Sequence, residues 1–584
     1  MKKSVSSKKN AYSNNVQKKQ IKIWHVIFVI IIIVGATFAI KMGALLNFRT
    51  AVLPSLNSFD RVPSNISTHN LTDEGKKFLQ KWQKEQKKMI SLSNKKLSKV
   101  ARTCKNNTSF LDQSILPRSS STQPLPTNIQ ESGLYGDCQL NTIADPQWVG
   151  TSEDQGIGQS IVLNGDYNGD GFDDVVIAIE DYYHLTGGEV YIFNGPIDEK
   201  GIVNITEANY TFHGITNDDN AGYTIDNAGD VNGDGYDDLL VSAFSADNLA
   251  KNAGAVYLLF GPFEENGDFS QADVTFLGDH EYGLAGAFIK GAGDVNKDGY
   301  SDILITASTF TRESPANSGV VYLFYGGPNL LSSYQVSQAD AVFLSQYPGE
   351  WDFLGFSLDS LGDMNQDGYD DIIIGDMQSF KTILDGMASL YYGPIERGTH
   401  YIEDAKSIFI GEENDLFGAS INGIGDINHD NFPDVLLYAP GALTEIPGAS
   451  YIFFGPIENG VFKPGDADVK IPGNFANLYP PYDIAMGSDI NHDGYTDFFL
   501  ADRFGTTYDY YVGLVYIFYG PLTAGTLNLD TAQARLIGGK YDYAGRSFSH
   551  GDSDGNGKEE IIISAYAYDN QFDNVGITYF IRGN

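Results

Sequence analysis

Short apolar runs separated by turn residues recur throughout residues 146–584. One set consists of Val175-Val-Ile-Ala-Ile179, Gly188-Glu-Val-Tyr-Ile-Phe193 and Tyr210-Thr-Phe-His-Gly214. Runs of this length, rich in Val, Ile, Tyr and Phe and bounded by Gly, Pro and Asp, predict β-strands. With substitutions, the set returns at steps of 63 to 69 residues, and such a period indicates a repeat architecture. Together with a strand ahead of the first of these runs, they make four short strands per unit, which predict the blade of an all-β propeller.

An acidic stretch of nine residues precedes the first apolar run of each unit. Its first copy is Asp166-Tyr-Asn-Gly-Asp-Gly-Phe-Asp-Asp174, and the seven copies are called loops 1 to 7 below. Side chains at positions 1, 3, 5 and 9 and the backbone carbonyl at position 7 supply the hard oxygen ligands that calcium prefers. The sequence therefore predicts up to seven Ca²⁺ sites.

The predicted ligands fall at the same five positions of every loop. They are Asp166, Asn168, Asp170, Phe172 and Asp174; Asp230, Asn232, Asp234, Tyr236 and Asp238; Asp294, Asn296, Asp298, Tyr300 and Asp302; Asp363, Asn365, Asp367, Tyr369 and Asp371; Asp426, Asn428, Asp430, Phe432 and Asp434; Asp489, Asn491, Asp493, Tyr495 and Asp497; and Asp552, Asp554, Asn556, Lys558 and Glu560.

Two alternatives to a calcium loop between strands remain open at this stage. An EF-hand has the same opening but needs a Glu at position 12, where loop 1 has Ile177. An Asx-rich turn that binds no metal is the other alternative. Loops 5 and 7 depart most from the pattern, because loop 5 has Asn431 in place of glycine and loop 7 exchanges Asn and Asp.

The repeats resemble the FG-GAP repeat of the integrin α-subunit head. The resemblance covers the chain from about residue 144 onward, and it rests on the loop, the glycines and the aromatic strand recurring together. It implies a seven-bladed β-propeller with calcium loops on one face and ligand-binding loops mainly on the other. The seventh unit ends after its third strand, whereas Gln147-Trp-Val-Gly150 matches the fourth-strand pattern ahead of the first unit. We expect this segment to close the ring by pairing with the last blade, which removes open sheet edges.

The N-terminal part of the chain has a different character. Residues 1–22 carry seven lysines and no acid, and residues 23–40 are apolar apart from His25 and Thr37. A stretch of this length predicts a transmembrane signal anchor with a cytoplasmic N-terminus and an extracytoplasmic propeller; a cleaved signal peptide is the alternative. Residues 41–145 read as a stalk that includes a basic helix over residues 73–102. We expect Cys104 and Cys138 to form a disulfide outside the cytoplasm.

Charge is distributed unevenly along the chain. Residues 1–145 hold 22 basic and 8 acidic residues, a net charge of +14, whereas residues 146–584 hold 16 basic and 67 acidic residues, a net charge of −51. A domain this acidic excludes electrostatic binding of nucleic acid. Without metal the carboxylates of each loop repel one another, so metal binding and folding should be coupled.

The sequence favours a binding protein over an enzyme. No His-Glu-x-x-His or P-loop pattern occurs, and His429 and His492 fall at position 4 of calcium loops, where we expect them to point outward. We therefore predict no catalytic residues and a membrane-anchored adhesion or ligand-binding propeller for an extracellular protein or glycan. The loops joining second to third strands, such as 181–184 and 507–511, are the predicted binding surface. Alternatives are an envelope enzyme acting on polysaccharide or lipid at the channel, which a pair of acids facing the channel would support, and a structural part of a surface assembly.

Overall fold

The computed structural model describes residues 129–582 apart from short internal segments. Those segments are residues 131–132, 135, 152–155, 180–186, 199, 308–318, 347–352, 378–384, 413–414, 442–447, 474–484, 504, 508–509 and 567–575. The chain divides into two compact units, Met1–Gln123 and Pro124–Asn584. The predicted transmembrane anchor, the basic helix of the stalk and Cys104 lie outside the described residues. Among the residues that are described, no helix has the length and apolar character needed to cross a membrane.

Seven sheets, each built on four antiparallel strands, form the seven blades, and six of them take all four strands from one unit. The first strands are Ile157–Gly165, Ala221–Gly229, Ala285–Gly293, Leu354–Gly362, Ser420–Gly423, Ala485–Ser488 and Phe548–Gly551. The second strands are Asp174–Ile179, Asp238–Ala243, Asp302–Ala307, Asp371–Asp376, Val435–Ala439, Asp497–Asp502 and Glu560–Ala565. The third strands are Glu189–Phe193, Ala255–Leu259, Val320–Phe324, Met387–Tyr391, Ala449–Phe453, Leu514–Phe518 and Ile577–Ile581. The fourth strands are Tyr210–His213, Val274–Leu277, Ala341–Leu344, Ser407–Ile410, Val469–Pro472, Ala534–Ile537 and Gln147–Val149. The prediction of a seven-bladed all-β propeller is confirmed.

A fifth short strand extends every sheet, and it comes from the neighbouring blade. Each fourth strand pairs in parallel with a strand that lies between the third and fourth strands of the next blade, as Tyr210–His213 does with Gly267–Asp268. These linking strands are Ile202–Asn204, Gly267–Asp268, Ser333–Gln335, Gly398–Tyr401, Gly460–Phe462, Gly525–Thr526 and Gly136–Gln139. The sequence pattern did not reveal them. They hydrogen-bond each blade to the next around the outside of the ring.

Single turns of helix follow the linking strands. Six are 3₁₀ turns: Ile205–Glu207, Phe269–Gln271, Val336–Gln338, Ile402–Asp404, Pro464–Asp466 and Leu529–Thr531. In the seventh blade, the α-helical turn Leu140–Ile143 takes the same place between Gly136–Gln139 and Gln147–Val149. Two small hairpins complete the structure, Ile129–Gln130 with Gly133–Leu134 and Thr506–Thr507 with Tyr510–Tyr511.

The predicted closure of the ring is confirmed. Gln147–Val149 pairs antiparallel with Ile577–Ile581, with Trp148 opposite Thr578, and so supplies the fourth strand of the last blade. Trp148 is fully buried, and its ring centroid lies 5.4 Å from that of Phe193 and 5.8 Å from that of Phe580. The sheets also take in Gly136–Gln139, which lies ahead of residue 146, where the sequence pattern placed the start of the propeller. Cys138 is buried on that strand, and its disulfide with Cys104 stays a prediction.

The hydrophobic core lies between blades rather than inside any one of them. The second and third strands are buried on both faces, as an apolar run such as Val175-Val-Ile-Ala-Ile179 requires. One cluster, for example, joins Val176 and Ile192 of blade 1 to Leu239 and Tyr257 of blade 2. Neighbouring first strands pack against one another and form the inner wall of the ring. The acidic loops follow these first strands, so this packing fixes the positions of the loops relative to one another.

Candidate metal centre

Each acidic loop connects the first strand of a blade to its second strand. In loop 1, Asp166 follows the end of Ile157–Gly165, and Asp174 begins the strand Asp174–Ile179. The structure therefore places positions 1 and 9 at the ends of two paired strands, with the polar residues between them in the turn. This is the predicted arrangement of a loop between strands, and no helix flanks it as an EF-hand requires.

The first carboxylate organises the turn. Both oxygens of Asp166 face backbone N–H groups: Oδ1 accepts hydrogen bonds from Gly169 at 2.7 Å and Asp170 at 3.1 Å, and Oδ2 accepts one from Gly171 at 2.8 Å. Asn168 Oδ1 and Asp170 Oδ1 accept further N–H bonds from Asp170 and Phe172. The loop is thus wound so that the oxygens of positions 1, 3 and 5 lie on its inner side.

The ninth residue is buried and ties the loop to the blade. Asp174 is fully buried, its Oδ2 accepts the N–H of Tyr167 at 3.0 Å, and its Oδ1 accepts the N–H of Gly195 at 2.8 Å. Gly195 opens the Gly-Pro pair that ends the third strand, so this bond explains why that pair accompanies the loop in the sequence. The corresponding bond to the glycine recurs at Asp238, Asp302, Asp371, Asp434 and Asp497.

Burial makes the ionised form of these ninth carboxylates costly. It raises the pKa of Asp238 and Asp302 to about 8; the two backbone N–H bonds oppose the rise, and repulsion from positions 5 and 1 adds to it. The same causes raise the pKa to about 7 at Asp174, Asp371, Asp434 and Asp497. A cation within the loop would offset both burial and repulsion, so the loop chemistry favours metal binding.

Two further observations fit calcium as the ligand. In loop 3, Oδ1 of Asn296 is buried and has no hydrogen-bond partner, and a buried unpaired acceptor at a predicted ligand position calls for a donor or a cation. In loop 7, one carboxylate oxygen from each of Asp552, Asp554 and Glu560 lies within 4.8 Å of the others. Loop 7 therefore brings its acids together although its Asn and Asp are exchanged.

Loop 5 keeps the same conformation without its glycine. Asn431 adopts φ +75°, in the region that glycine occupies in the other loops, and its N–H donates to Asp426 Oδ2 at 2.7 Å. Asn tolerates this left-handed conformation better than most residues. Pro433 does not displace the ninth residue, because Asp434 still accepts the N–H groups of Ile427 and Gly455.

Position 7 performs a role that the sequence did not predict. Its backbone carbonyl is the predicted ligand atom, while its side chain packs against position 4 of the preceding loop. Lys297 Nζ lies 5.0 Å from the ring centroid of Tyr369, and His429 lies 4.5 Å from Tyr495. His429 is exposed, as expected, and contacts Tyr495 of the next loop. The expectation is wrong for His492, whose Nε2 is buried.

Two acids of the inner wall, Asp226 and Asp359, are paired with the same lysine. Lys290 of blade 3 bridges Asp226 of blade 2, at 3.4 Å, and Asp359 of blade 4, at 3.2 Å. Asp226 Oδ2 also accepts the N–H of Gly291, and Asp359 Oδ2 accepts that of Gly423. These two carboxylates link neighbouring first strands.

Tyrosines collect at the end of blades 6 and 7 opposite the acidic loops. Connections from second to third strands and from fourth to first strands emerge at that end, because blade strands alternate in direction. Tyr511 is 45% exposed and Tyr541 40% exposed, and the ring of Tyr543 stacks on Tyr511 at 5.7 Å and lies 6.0 Å from Tyr566. Of the predicted binding loops, 181–184 lies outside the described residues, and Tyr511 belongs to this cluster.

A seven-bladed propeller with an acidic loop in every blade defines the class of this protein. The family model for the FG-GAP repeat matches residues 221–259 and 291–324. Integrin alpha-PS2 of Drosophila melanogaster is 31% identical over 264 residues, covering 44% of this chain and 17% of that protein. Integrin alpha-5 of Xenopus laevis is 32% identical over 237 residues, with coverages of 39% and 20%. The chain thus contains FG-GAP repeats and is similar to integrin α-subunits over part of its length.

These matches cover only a small part of each relative. Integrin alpha-IIb of Mus musculus is 36% identical over 151 residues, 25% of this chain and 14% of that protein. The chain thus spans a fifth or less of the length of these curated relatives, so their activity and partners are not carried over directly. A solved neuraminidase-like protein of flat-faced bat origin covers 77% of this chain with a TM-score of 0.28 and 10% identity. A score this low carries no argument.

Proposed function

We propose that this chain is a calcium-stabilised propeller that binds an extracellular protein through the face opposite its metal loops. The observation that carries the calcium assignment is the loop geometry: oxygens of positions 1, 3 and 5 lie on the inner side of the turn above a buried ninth carboxylate. The unpartnered Oδ1 of Asn296 supports it further.

The residues that we propose to hold the ion are those predicted from the sequence. In loop 1, Asp166, Asn168, Asp170 and Asp174 offer side-chain oxygens, and Phe172 offers its carbonyl. Bound calcium supplies positive charge that offsets the repulsion among these groups. The chain's own part is to keep the turn wound, through the N–H bonds to Asp166, and to anchor it, through the bond from Gly195 to Asp174.

The tyrosine cluster is the proposed contact surface. Tyrosine gives large contact area for little loss of side-chain entropy, and it is enriched at interfaces. Asp542 is 2% exposed and accepts the hydroxyl of Tyr579 at 2.9 Å, which holds the loop that carries Tyr541 and Tyr543. The similarity to integrin α-subunits favours a protein ligand and an adhesive role. We further propose that residues 23–40 anchor the chain with the propeller outside the cytoplasm.

Counting bound metal tests the calcium assignment. After equilibrium dialysis of the full chain against calcium, we expect close to seven ions per chain. Asp298→Ala in loop 3 should lower the count by one, whereas Asp198→Ala, at an exposed aspartate outside the loops, should leave it unchanged. A chain that retains no calcium would refute the assignment.

An adhesion assay tests the proposed surface. Beads coated with the full chain are measured for retention on monolayers of intact cells, in calcium and in chelator. We expect retention in calcium only, with a loss on Tyr541→Ser or Tyr511→Ser. Tyr401→Ser, at a 37% exposed tyrosine on the outer linking strand of blade 4, serves as the control. Equal retention of the Tyr541 and control variants would contradict the assigned surface.

A further inference from the structure

The eighth residue of the loop lies outside the predicted ligand set and is acidic in four loops. Asp173, Asp237, Asp370 and Glu559 hold this position in loops 1, 2, 4 and 7. Ser301, Pro433 and Thr496 hold it in loops 3, 5 and 6. The chain therefore contains both charged and uncharged versions of the same position.

Three of the acids reach across a blade boundary to the preceding loop. Asp237 Oδ2 accepts the backbone N–H of Asp166 in loop 1 at 3.0 Å. Asp370 Oδ2 accepts the N–H of Asp294 in loop 3 at 2.7 Å. Asp173 Oδ2 accepts the N–H of Asp552 in loop 7 at 2.7 Å, across the junction between the last and first blades. In each case the donor is the residue whose carboxylate organises the neighbouring turn.

The glycine that precedes a loop makes room for this approach. Gly293 has φ +70°, and a Cβ there would lie 2.1 Å from Oδ2 of Asp370. Gly362 precedes loop 4, and the next loop, loop 5, has Pro433 at position 8. A Cβ at Gly362 would meet nothing within 4 Å. The close approach is not confined to acidic junctions, because a Cβ at Gly229, before loop 2, would lie 2.4 Å from Oγ of Ser301.

The shared carboxylate also responds to the charge of both loops. Asp237 precedes the predicted ligand Asp238 of its own loop, and its carboxylate is bonded to Asp166 of loop 1, so it lies between the acidic groups of the two loops. A cation in either loop offsets part of the repulsion among these groups and so favours the arrangement that the other loop needs. Such a contribution to two sites is a coupling free energy, and it acts equally in both directions.

We propose that Asp173, Asp237 and Asp370 are positioning residues that couple neighbouring metal loops. Loops 7, 1 and 2 then bind calcium as one cooperative group, and loops 3 and 4 bind it as a second. Glu559 is left out of this set because its contacts differ: its carboxylate lies 2.8 Å from His550 Nδ1, and it faces the side chains of Ser488 and His492 at loop 6. The larger group spans the junction where the N-terminal strand closes the ring. This inference rests on the proposed calcium function.

Hydrogen exchange of the full chain, followed during a calcium titration, tests the coupling loop by loop. Asp234→Ala disables loop 2 at a position that does not contact Asp237. The calcium midpoint for protection of the loop 1 peptide should rise about tenfold, a size typical of lost support around a metal site. The loop 3 peptide is the internal control, because Ser301 provides no carboxylate to loop 2. Equal shifts in loops 1 and 3, or no shift in loop 1, would overturn the proposal.

A second pair of variants leaves all the ligands intact. Asp237→Ser gives loop 2 the residue that loop 3 carries naturally, and it should raise the midpoint of loop 1. Ser301→Ala is the matched control and should leave the midpoint of loop 2 unchanged. If the loops of the unaltered chain gain protection independently, the coupling fails and the calcium function stands. If no loop gains protection in calcium, both are overturned.

Discussion

Removing the indole of Trp148 should weaken the closure of the ring. Trp148 is fully buried on the strand that joins the N-terminal segment to the last blade, between Phe193 and Phe580. Truncating a buried tryptophan to alanine costs about 3–5 kcal/mol. The edge-to-face pair with Phe580, at an interplanar angle of 89°, places the expected loss toward the upper end of that range.

The same site offers a conservative comparison. The indole N–H of Trp148 is buried without an acceptor, and an unpaired buried donor costs about 1–3 kcal/mol. Trp148→Phe keeps an aromatic ring and removes that donor, so we expect a loss of about 1 kcal/mol or less. Phe409→Ala is the matched truncation, because Phe409 is fully buried and occupies the same register in the fourth strand of blade 4.

Urea unfolding combined with hydrogen exchange separates closure from general packing. Both truncations should lower the free energy of unfolding, but only Trp148→Ala should speed exchange in the last strand, Ile577–Ile581. If Trp148→Ala lowers the free energy of unfolding by less than about 1 kcal/mol, the packing of Trp148 does not stabilise the closure of the ring as we expect. Unchanged exchange in Ile577–Ile581 would refute this expectation independently.

Three further predictions concern the loops and the inner wall. Because burial raises the pKa of Asp238 to about 8 in the folded chain, the folded state binds more protons than the unfolded state between about pH 4 and 8. Metal-free stability should therefore fall as pH rises through that range, and a chelator-treated chain that melts higher at pH 8 than at pH 5 would contradict this. Lys290→Met should destabilise the chain by up to about 3 kcal/mol in urea unfolding, because it leaves Asp226 and Asp359 unpaired on the inner wall; Lys290→Arg should recover most of the loss, and equal losses would argue against the ion pairs. Asn431→Ala should cost about 1–2 kcal/mol because its φ is +75°, whereas Asn431→Gly should be neutral, and similar melting points for the two variants would contradict the strain.

The blades were predictable because each one repeats the same local chemistry. Apolar runs such as Val175-Val-Ile-Ala-Ile179 are long enough to signal a strand, and their recurrence in seven copies indicates a repeat. Trp148 was recognisable for the same reason, since its neighbours repeat the fourth-strand pattern. A feature formed by residues of a single repeat can be recognised from the sequence of that repeat.

Contacts between units were not predictable in that way. The linking strand Ile202–Asn204 is three residues long, and Ile202 is 68% exposed, so it has no apolar alternation to reveal it. The role of Asp237 was hidden because its partner, the N–H of Asp166, belongs to another repeat. The contact between His429 and Tyr495 was hidden for the same reason, because the tyrosine belongs to the next loop.

Thermal unfolding of the full chain in millimolar calcium and in excess chelator tests the central claim most directly. A loop that binds only in the folded state stabilises it by about 2.7 kcal/mol when calcium is at one hundred times its Kd. With an acidic loop in each blade, we predict a large upward shift of the melting point in calcium, saturating as the bound metal approaches seven ions per chain. Identical melting points, with no metal retained in either condition, would contradict the account: the loops would then be turns that hold their carboxylates without an ion.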